Sequence, residues 1–322
     1  MKVFILSPDG QGRIDGTNKH QLLDRLPGLV MSERDADVVL VPISFYPDYT
    51  FSRDLVKIRK PVVIVDYMEY GWDFWRNGNA THLFGDGRLP DNLRANREWQ
   101  WLDECLSERD ISVYFKRELL LDDAAPVRVK PIEFVCTGDI PPVQDKASFD
   151  ARSFDVVNIW GYSHPDRARF HGEIFQAMGT RGINVISDWS QLTPNMPRQK
   201  GTWLSIYSPY WVRQPLSRVI ELQREARVSV SLPGCGQKCF RSAESPRECI
   251  MALHGDRLAW SYPWHTGNSI QLGVGTEFLD IHFALQSPDL YDTYVAGQEN
   301  MRRYQVNNYI RDYVVPSIAA AL

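Results

Sequence analysis

Residues 229–244 read Ser-Val-Ser-Leu-Pro-Gly-Cys-Gly-Gln-Lys-Cys-Phe-Arg-Ser-Ala-Glu. A β-branched run feeds a loop holding Gly234 and Gly236. The loop feeds a helix whose first turns carry Lys238, Arg241 and Glu244. Glycines let backbone N–H groups approach a ligand closely, and a helix N-terminus favours an anion. Arginine adds a fork that can hold two phosphate oxygens at once. Arg241 and Glu244 are three apart and share a helix face. The set suits a diphosphate at the arginine and a ribose or sugar hydroxyl at the carboxylate; an ordinary surface Arg–Glu pair after a turn has the same spacing.

Two more loops follow predicted strands. Ser7 to His20 contains Gly10, Gly12 and Gly16, a G-x-G-x-x-x-G spacing one residue longer than the dinucleotide fingerprint, with Glu33 the nearest downstream acid. An NAD(P)-dependent oxidoreductase is therefore an alternative reading. Asp9 and His20 on this loop are candidates to touch a second substrate, and His20 equally fits a solvated helix position. Val65 to Trp75 sets Asp66 and Glu69 among Tyr67, Tyr70, Trp72, Phe74 and Trp75. Carboxylates beside apolar rings are desolvated and readied for proton transfer. Asp66 and Glu69, then Asp9, are the candidate general bases. Trp72 and Trp75 are candidates to stack on a sugar or a base, or equally to pack the domain. Asp35-Ala36-Asp37 has the form of a metal-binding Asp-x-Asp but precedes a strand, so it reads as a turn at the amino edge. Trp264-His265 reads as a partly buried structural pair, and C-x3-C at Cys235 and Cys239 lacks a second half for zinc.

The elements that must position these loops are short and apolar on both faces. Val3–Leu6, Gly28–Met31, Val38–Pro42, Val62–Asp66, Val113–Phe115 and Ile132–Cys136 read as strands of a parallel sheet covered on both sides. Gly138 to Asp150 reads as an interdomain linker. The alternation restarts with a strand from Asp155 to Gly161, a helix from Asp166 to Met178, a strand at Ile183–Ile186, a helix from Leu216 to Arg227 and a strand at Val228–Leu232. A long helical stretch spans Asp289 to Tyr313, broken near Gly297.

A strand, Leu-Pro-x-Gly-x-Gly and Phe-Arg-x-x-Glu together resemble the donor-site signature of exostosin-like and spore-protein-like glycosyltransferases of the GT-B architecture, some members of which are virus-encoded. Val113 to Glu118 with Pro131 to Phe134, and Phe154 to Gly161 with Arg167, are similar in order to other parts of that family. The resemblance implies an α/β fold of two Rossmann-like doubly wound domains facing a cleft. Residues 1–140 would be the acceptor side and 141–322 the nucleotide-sugar side, with the final helix returning to the first domain. It implies a UDP-sugar as cosubstrate and no essential metal or other cofactor. Arg241 would hold the donor diphosphate and Glu244 the ribose or transferred sugar. Gly161, Ser163 and Arg167 would flank the same phosphates, beside Gly234, Gly236 and Lys238. Gly10, Gly12, His20, Trp72 and Trp75 would face the acceptor, a saccharide or a hydroxymethylated pyrimidine in double-stranded DNA. A non-catalytic nucleotide-sugar-binding protein is the other alternative.

Composition narrows the field. The 322 residues carry a net charge of −4, with 43% hydrophobic and 24% charged. That balance excludes bulk disorder and argues against a surface wholly committed to nucleic acid, though not against a local basic groove. No apolar run is long enough to span a membrane, and the first residues lack the form of a signal peptide. Five scattered cysteines fit reduced thiols and a cytoplasmic setting.

Overall fold

The computed structural model describes residues 1–6, 22–42, 58–67, 111–117, 119, 121, 128–161, 165–180, 184–186, 202–208, 216–232, 247–254 and 258–322. The chain divides into two compact units. Unit 1 gathers Met1–Thr137, Arg257–Ser261 and Arg303–Leu322; unit 2 gathers Gly138–Asp256 and Tyr262–Arg302.

In unit 1, β1 (Val3–Ile5), β2 (Val38–Pro42), β3 (Val62–Asp66), β4 (Ile111–Lys116) and β5 (Val129–Pro131) form one sheet in that order, all parallel. Val38 to Val41 are wholly buried, as expected when both faces are covered. The expected strand at Gly28–Met31 is a single parallel bridge, Leu29 to Val3, on the edge of β1 away from β2. Counting it, the sheet reads 2-1-3-4-5-6 in chain order, a doubly wound arrangement whose direction reverses between β1 and β2. Gly28 turns the chain there with φ +74, and its α-carbon passes so close to Met1 that a Cβ would meet the Met1 carbonyl oxygen. The last strand lies three residues earlier than expected. Pro131 ends it, which an edge strand tolerates because its outer N–H has no partner to lose.

Unit 2 opens with α1 (Lys146–Asp150), capped by Asp145, whose carboxylate accepts the Ser148 N–H at 2.9 Å. The stretch expected to be a bare linker thus carries a capped helix with Phe149 buried. Then come β6 (Phe154–Gly161), α2 (Pro165–Thr180), β7 (Asn184–Ile186), β8 (Thr202–Ser208), α3 (Leu216–Arg224), β9 (Ala226–Ser231), β10 (Ile250–Leu253), β11 (Ile270–Gln271), α4 (Glu277–Gln286) and α5 (Leu290–Arg303). The sheet order is β11-β10-β9-β6-β8-β7, again all parallel. Alternate residues of β6 serve two cores. Val156, Val228 and Val230 pack with Phe170 and Ile174 of α2, Phe278 and Ile281 of α4, and Tyr294 of α5. Val157 and Ile159 pack with Val219 and Leu222 of α3. A sheet with helices on both faces and this strand order is a Rossmann-like doubly wound domain, so the α/β class expected from sequence holds for both units.

The C-terminal helical stretch differs from expectation. Gly297 does not break α5. A Cβ there would lie 2.7 Å from the Asn268 carbonyl oxygen, so the glycine lets α5 lie close against the loop before β11. The break falls at Tyr304–Gln305, where Cys136 and Gln305 form a parallel bridge in unit 1. Beyond it α6 (Val306–Tyr309) runs through a π turn (Ile310–Val314) into α7 (Val315–Ala319), burying Tyr309, Ile310, Val314 and Ile318. Among the described residues, no helix is long and apolar enough to cross a membrane.

Candidate functional site

In a doubly wound sheet, ligands bind beyond the carboxyl ends of the strands, where the winding reverses. In unit 2 that point lies between β6 and β9, which are sheet neighbours although β7 and β8 intervene in the chain. Gly161 ends β6, and Leu232 follows β9 directly, two residues before Gly234 in the sequence. Arg167 stands on the first turn of α2, which opens with Pro165, a residue whose fixed φ and missing N–H suit a first helical position. Arg167 is 6% exposed, and its Nη2 donates to the Leu232 carbonyl oxygen at 3.1 Å. The hydrogen bond ties a buried guanidinium in the first turn of α2 to Leu232, the residue that follows β9. Ser163, Gly234, Gly236, Lys238, Arg241 and Glu244 lie outside the described residues.

One strand further along, the same edge carries a charge cluster that the sequence reading missed. Glu277, the first residue of α4, is completely buried. Arg169 of α2 donates to both its oxygens, Nη1 to Oε2 at 3.0 Å and Nη2 to Oε1 at 2.5 Å. The Gly275 N–H adds a third donor at 2.9 Å. Burial works to raise the Glu277 carboxyl, but the Arg169 hydrogen bonds and charge outweigh it and hold the group below its ordinary range. The same pairing raises Arg169. His254, the first residue past β10, brings Nε2 within 3.3 Å of Glu277 Oε1. Arg169 also pairs with Glu173 one turn along α2, at 2.9 Å. Glu277 is 108 residues from Arg169 and begins a helix that the apolar periodicity did not announce.

In unit 1, Asp66 ends β3 with no exposed surface. Its Oδ2 accepts the Tyr114 hydroxyl at 2.7 Å and lies 2.9 Å from Lys116 Nζ, which is equally buried. The pairing follows from register: Asp66 sits opposite Lys116 where β3 and β4 run parallel. Asp66 is thus a member of a buried ion pair at the carboxyl edge of the sheet. Glu69, Asp9, Gly10, Gly12, His20, Trp72 and Trp75 lie outside the described residues. Tyr67, next to Asp66, stacks on Phe134 at 5.6 Å, and burial followed by the nearby Glu133 charge drives its phenol well above its usual value. Glu133 is itself buried and accepts the Tyr309 hydroxyl at 2.8 Å, the Ser261 N–H at 3.2 Å and the Ser261 hydroxyl. These phenols stay protonated and act as donors.

The Asp-x-Asp segment sits where its position before a strand implied. Glu33–Asp35 form a 3-10 turn capped by Ser32, and Asp37 Oδ2 accepts the Lys2 N–H at 2.6 Å. His265 departs from expectation: it is exposed, with Nδ1 2.8 Å from the Thr266 carbonyl oxygen, while Trp264 beside it is buried. Among the described residues, no group of three or more His, Cys, Asp or Glu could hold a metal ion.

No family model matches the chain, and no curated protein matches it. Solved structures similar to it include "Trehalose-6-phosphate from E. coli bound with UDP-2-fluoro glucose", at 7% identity and TM-score 0.49, covering 87% of this chain and 73% of that one. An α,α-trehalose-phosphate synthase (UDP-forming) from Burkholderia vietnamiensis matches at 10% identity and TM-score 0.48, covering 88% and 72%. TarM matches at 9% identity and TM-score 0.48, covering 87% of this chain and 54% of TarM. At this identity and with TM-scores below 0.5, these likenesses assign no activity; the two parallel doubly wound sheets stand on their own strand order.

Proposed function

We propose that the chain is a glycosyltransferase that binds a nucleoside-diphosphate sugar, a UDP-sugar, at the carboxyl edge of unit 2 and passes the sugar to an acceptor hydroxyl. The supporting observation is the buried Arg167 guanidinium at the switch point, hydrogen-bonded to Leu232, two residues before Gly234 in the sequence. In this reading the Gly234–Gly236 backbone, Lys238 and Arg241 meet the diphosphate and stabilise its charge as it departs. Glu244 holds the ribose or the transferred sugar, and Gly161, Ser163 and Arg167 flank the phosphates. Gly10, Gly12, His20, Trp72 and Trp75 receive the acceptor. The Asp66 carboxylate is already engaged by Tyr114 and Lys116. Proton removal from the acceptor is therefore assigned to Glu69, with Asp9 next, and Asp66 to a fixed position at the end of β3.

A thermal-shift and calorimetric screen of nucleoside diphosphates and their sugars tests the reading. UDP at about a hundred times its Kd stabilises the chain by roughly 2.7 kcal/mol, and Arg241→Ala abolishes the effect. Absence of stabilisation by every nucleoside diphosphate would overturn it, and stabilisation by NAD(H) alone would transfer the site to an oxidoreductase. Release of UDP from a bound UDP-sugar, measured with saccharides and with hydroxymethylated-pyrimidine DNA as acceptors, separates a transferase from a protein that only binds and identifies the acceptor class.

A further inference from the structure

We infer that His254 is a further ligand-binding residue of the proposed donor site, meeting the anionic phosphate oxygens of the bound nucleoside diphosphate. The inference rests on the nucleotide-sugar reading above and extends it to a residue on a third strand. Leu253 is in register with Ser231, so His254 stands level with Leu232, whose carbonyl holds Arg167. The ends of β6, β9 and β10 are consecutive along the sheet, and the first turns of α2 reach both of the last two: Arg167 to the end of β9, and Arg169 through Glu277 to His254.

The surroundings of the ring favour a ligand over a structural role. Glu277 already receives both Arg169 nitrogens and the Gly275 N–H. Its charge is balanced without His254, so the imidazole is not needed to keep a buried carboxylate from being orphaned. Nε2 is buried and 3.3 Å from Oε1 yet has no hydrogen-bond partner among the described residues, so the contact with Glu277 leaves that nitrogen uncommitted. Among the described residues, Glu277 is the ring's polar partner, and the side chain keeps 13% of its surface exposed. An imidazole seated against a fixed carboxylate at a ligand-binding edge is held in orientation for a phosphate oxygen.

Calorimetric titration with UDP and with uridine, on the full chain and on His254→Ala and His254→Gln, decides the matter. The expected result is a loss of UDP affinity of about tenfold in His254→Ala, the weight of one hydrogen bond to a charged group, partial recovery in His254→Gln, and unchanged uridine affinity. Equal weakening of UDP and uridine, or no weakening of UDP, would overturn the inference. A wild-type chain that binds no nucleoside diphosphate would remove the nucleotide reading itself before any variant is made. If His254→Ala fails to fold, the imidazole resonances of the wild-type chain supply the readout: UDP but not uridine is expected to shift those of His254, and no shift overturns the assignment.

Discussion

At the scale of single residues, two of the buried carboxylates, Asp66 and Glu277, make different demands. Asp66 and Lys116 have no exposed surface, so removing the cation strands a charge in the interior. Lys116→Met is expected to cost about 3–5 kcal/mol in urea unfolding, and the Asp66→Asn/Lys116→Met pair to recover much of it. Glu277 makes its demand through pH. Its carboxyl is held below the ordinary value of 4.5, so its stabilising effect is complete above that pH and is lost as pH falls through the lowered value. Acid unfolding of Glu277→Gln should therefore show a shallower fall in stability below pH 4.5 than the unaltered chain. Cys249 is 1% exposed, and burial pushes its thiol up to about 12. It is expected to resist maleimide at neutral pH until the chain unfolds. Arg167 was singled out only through the family resemblance, as a residue flanking the donor phosphates. Glu277 and His254 were not, because their meaning comes from a partner on another element.

At the scale of elements, alternation of apolar runs located most described strands, since a strand buried on both faces leaves an uninterrupted apolar signature. Two errors came from reading glycine and proline as punctuation, and β8, β10 and β11 were not anticipated. Gly297 lies inside α5 as a point of close packing, and Pro131 terminates a strand expected to begin just beyond it. Gly297→Ala gains up to about 1 kcal/mol of helix propensity but forces a methyl to 2.7 Å from a backbone oxygen. A net loss of about 1–3 kcal/mol is expected from thermal unfolding. A neutral or stabilising result would mean that the loop before β11 yields easily. The helix α4 escaped notice because Glu277, Phe278 and Ile281 are all buried while Phe283 is exposed, which blurs the stripe a one-sided helix would show.

At the scale of the whole molecule, the final segment is integral to unit 1. The Tyr309 hydroxyl bonds to Glu133, the Tyr313 hydroxyl to the Pro131 carbonyl at 2.8 Å, and Val306, Ile310, Val314 and Ile318 are buried. Truncation after Arg302 is expected to expose that apolar surface and make unit 1 the first target of limited proteolysis, with the surviving fragment mapping to unit 2. Two-domain organisation was legible from the length and from the restart of the strand–helix alternation. The excursion of Arg257–Ser261 into unit 1 was not, because nothing in five residues of local sequence marks a change of allegiance. That excursion has a consequence for how such a chain can vary over time. Unit 1 is assembled from three stretches of chain and unit 2 from two. Neither can be lifted out as a single gene cassette and recombined with a foreign half, so new specificities must accumulate by substitution in place.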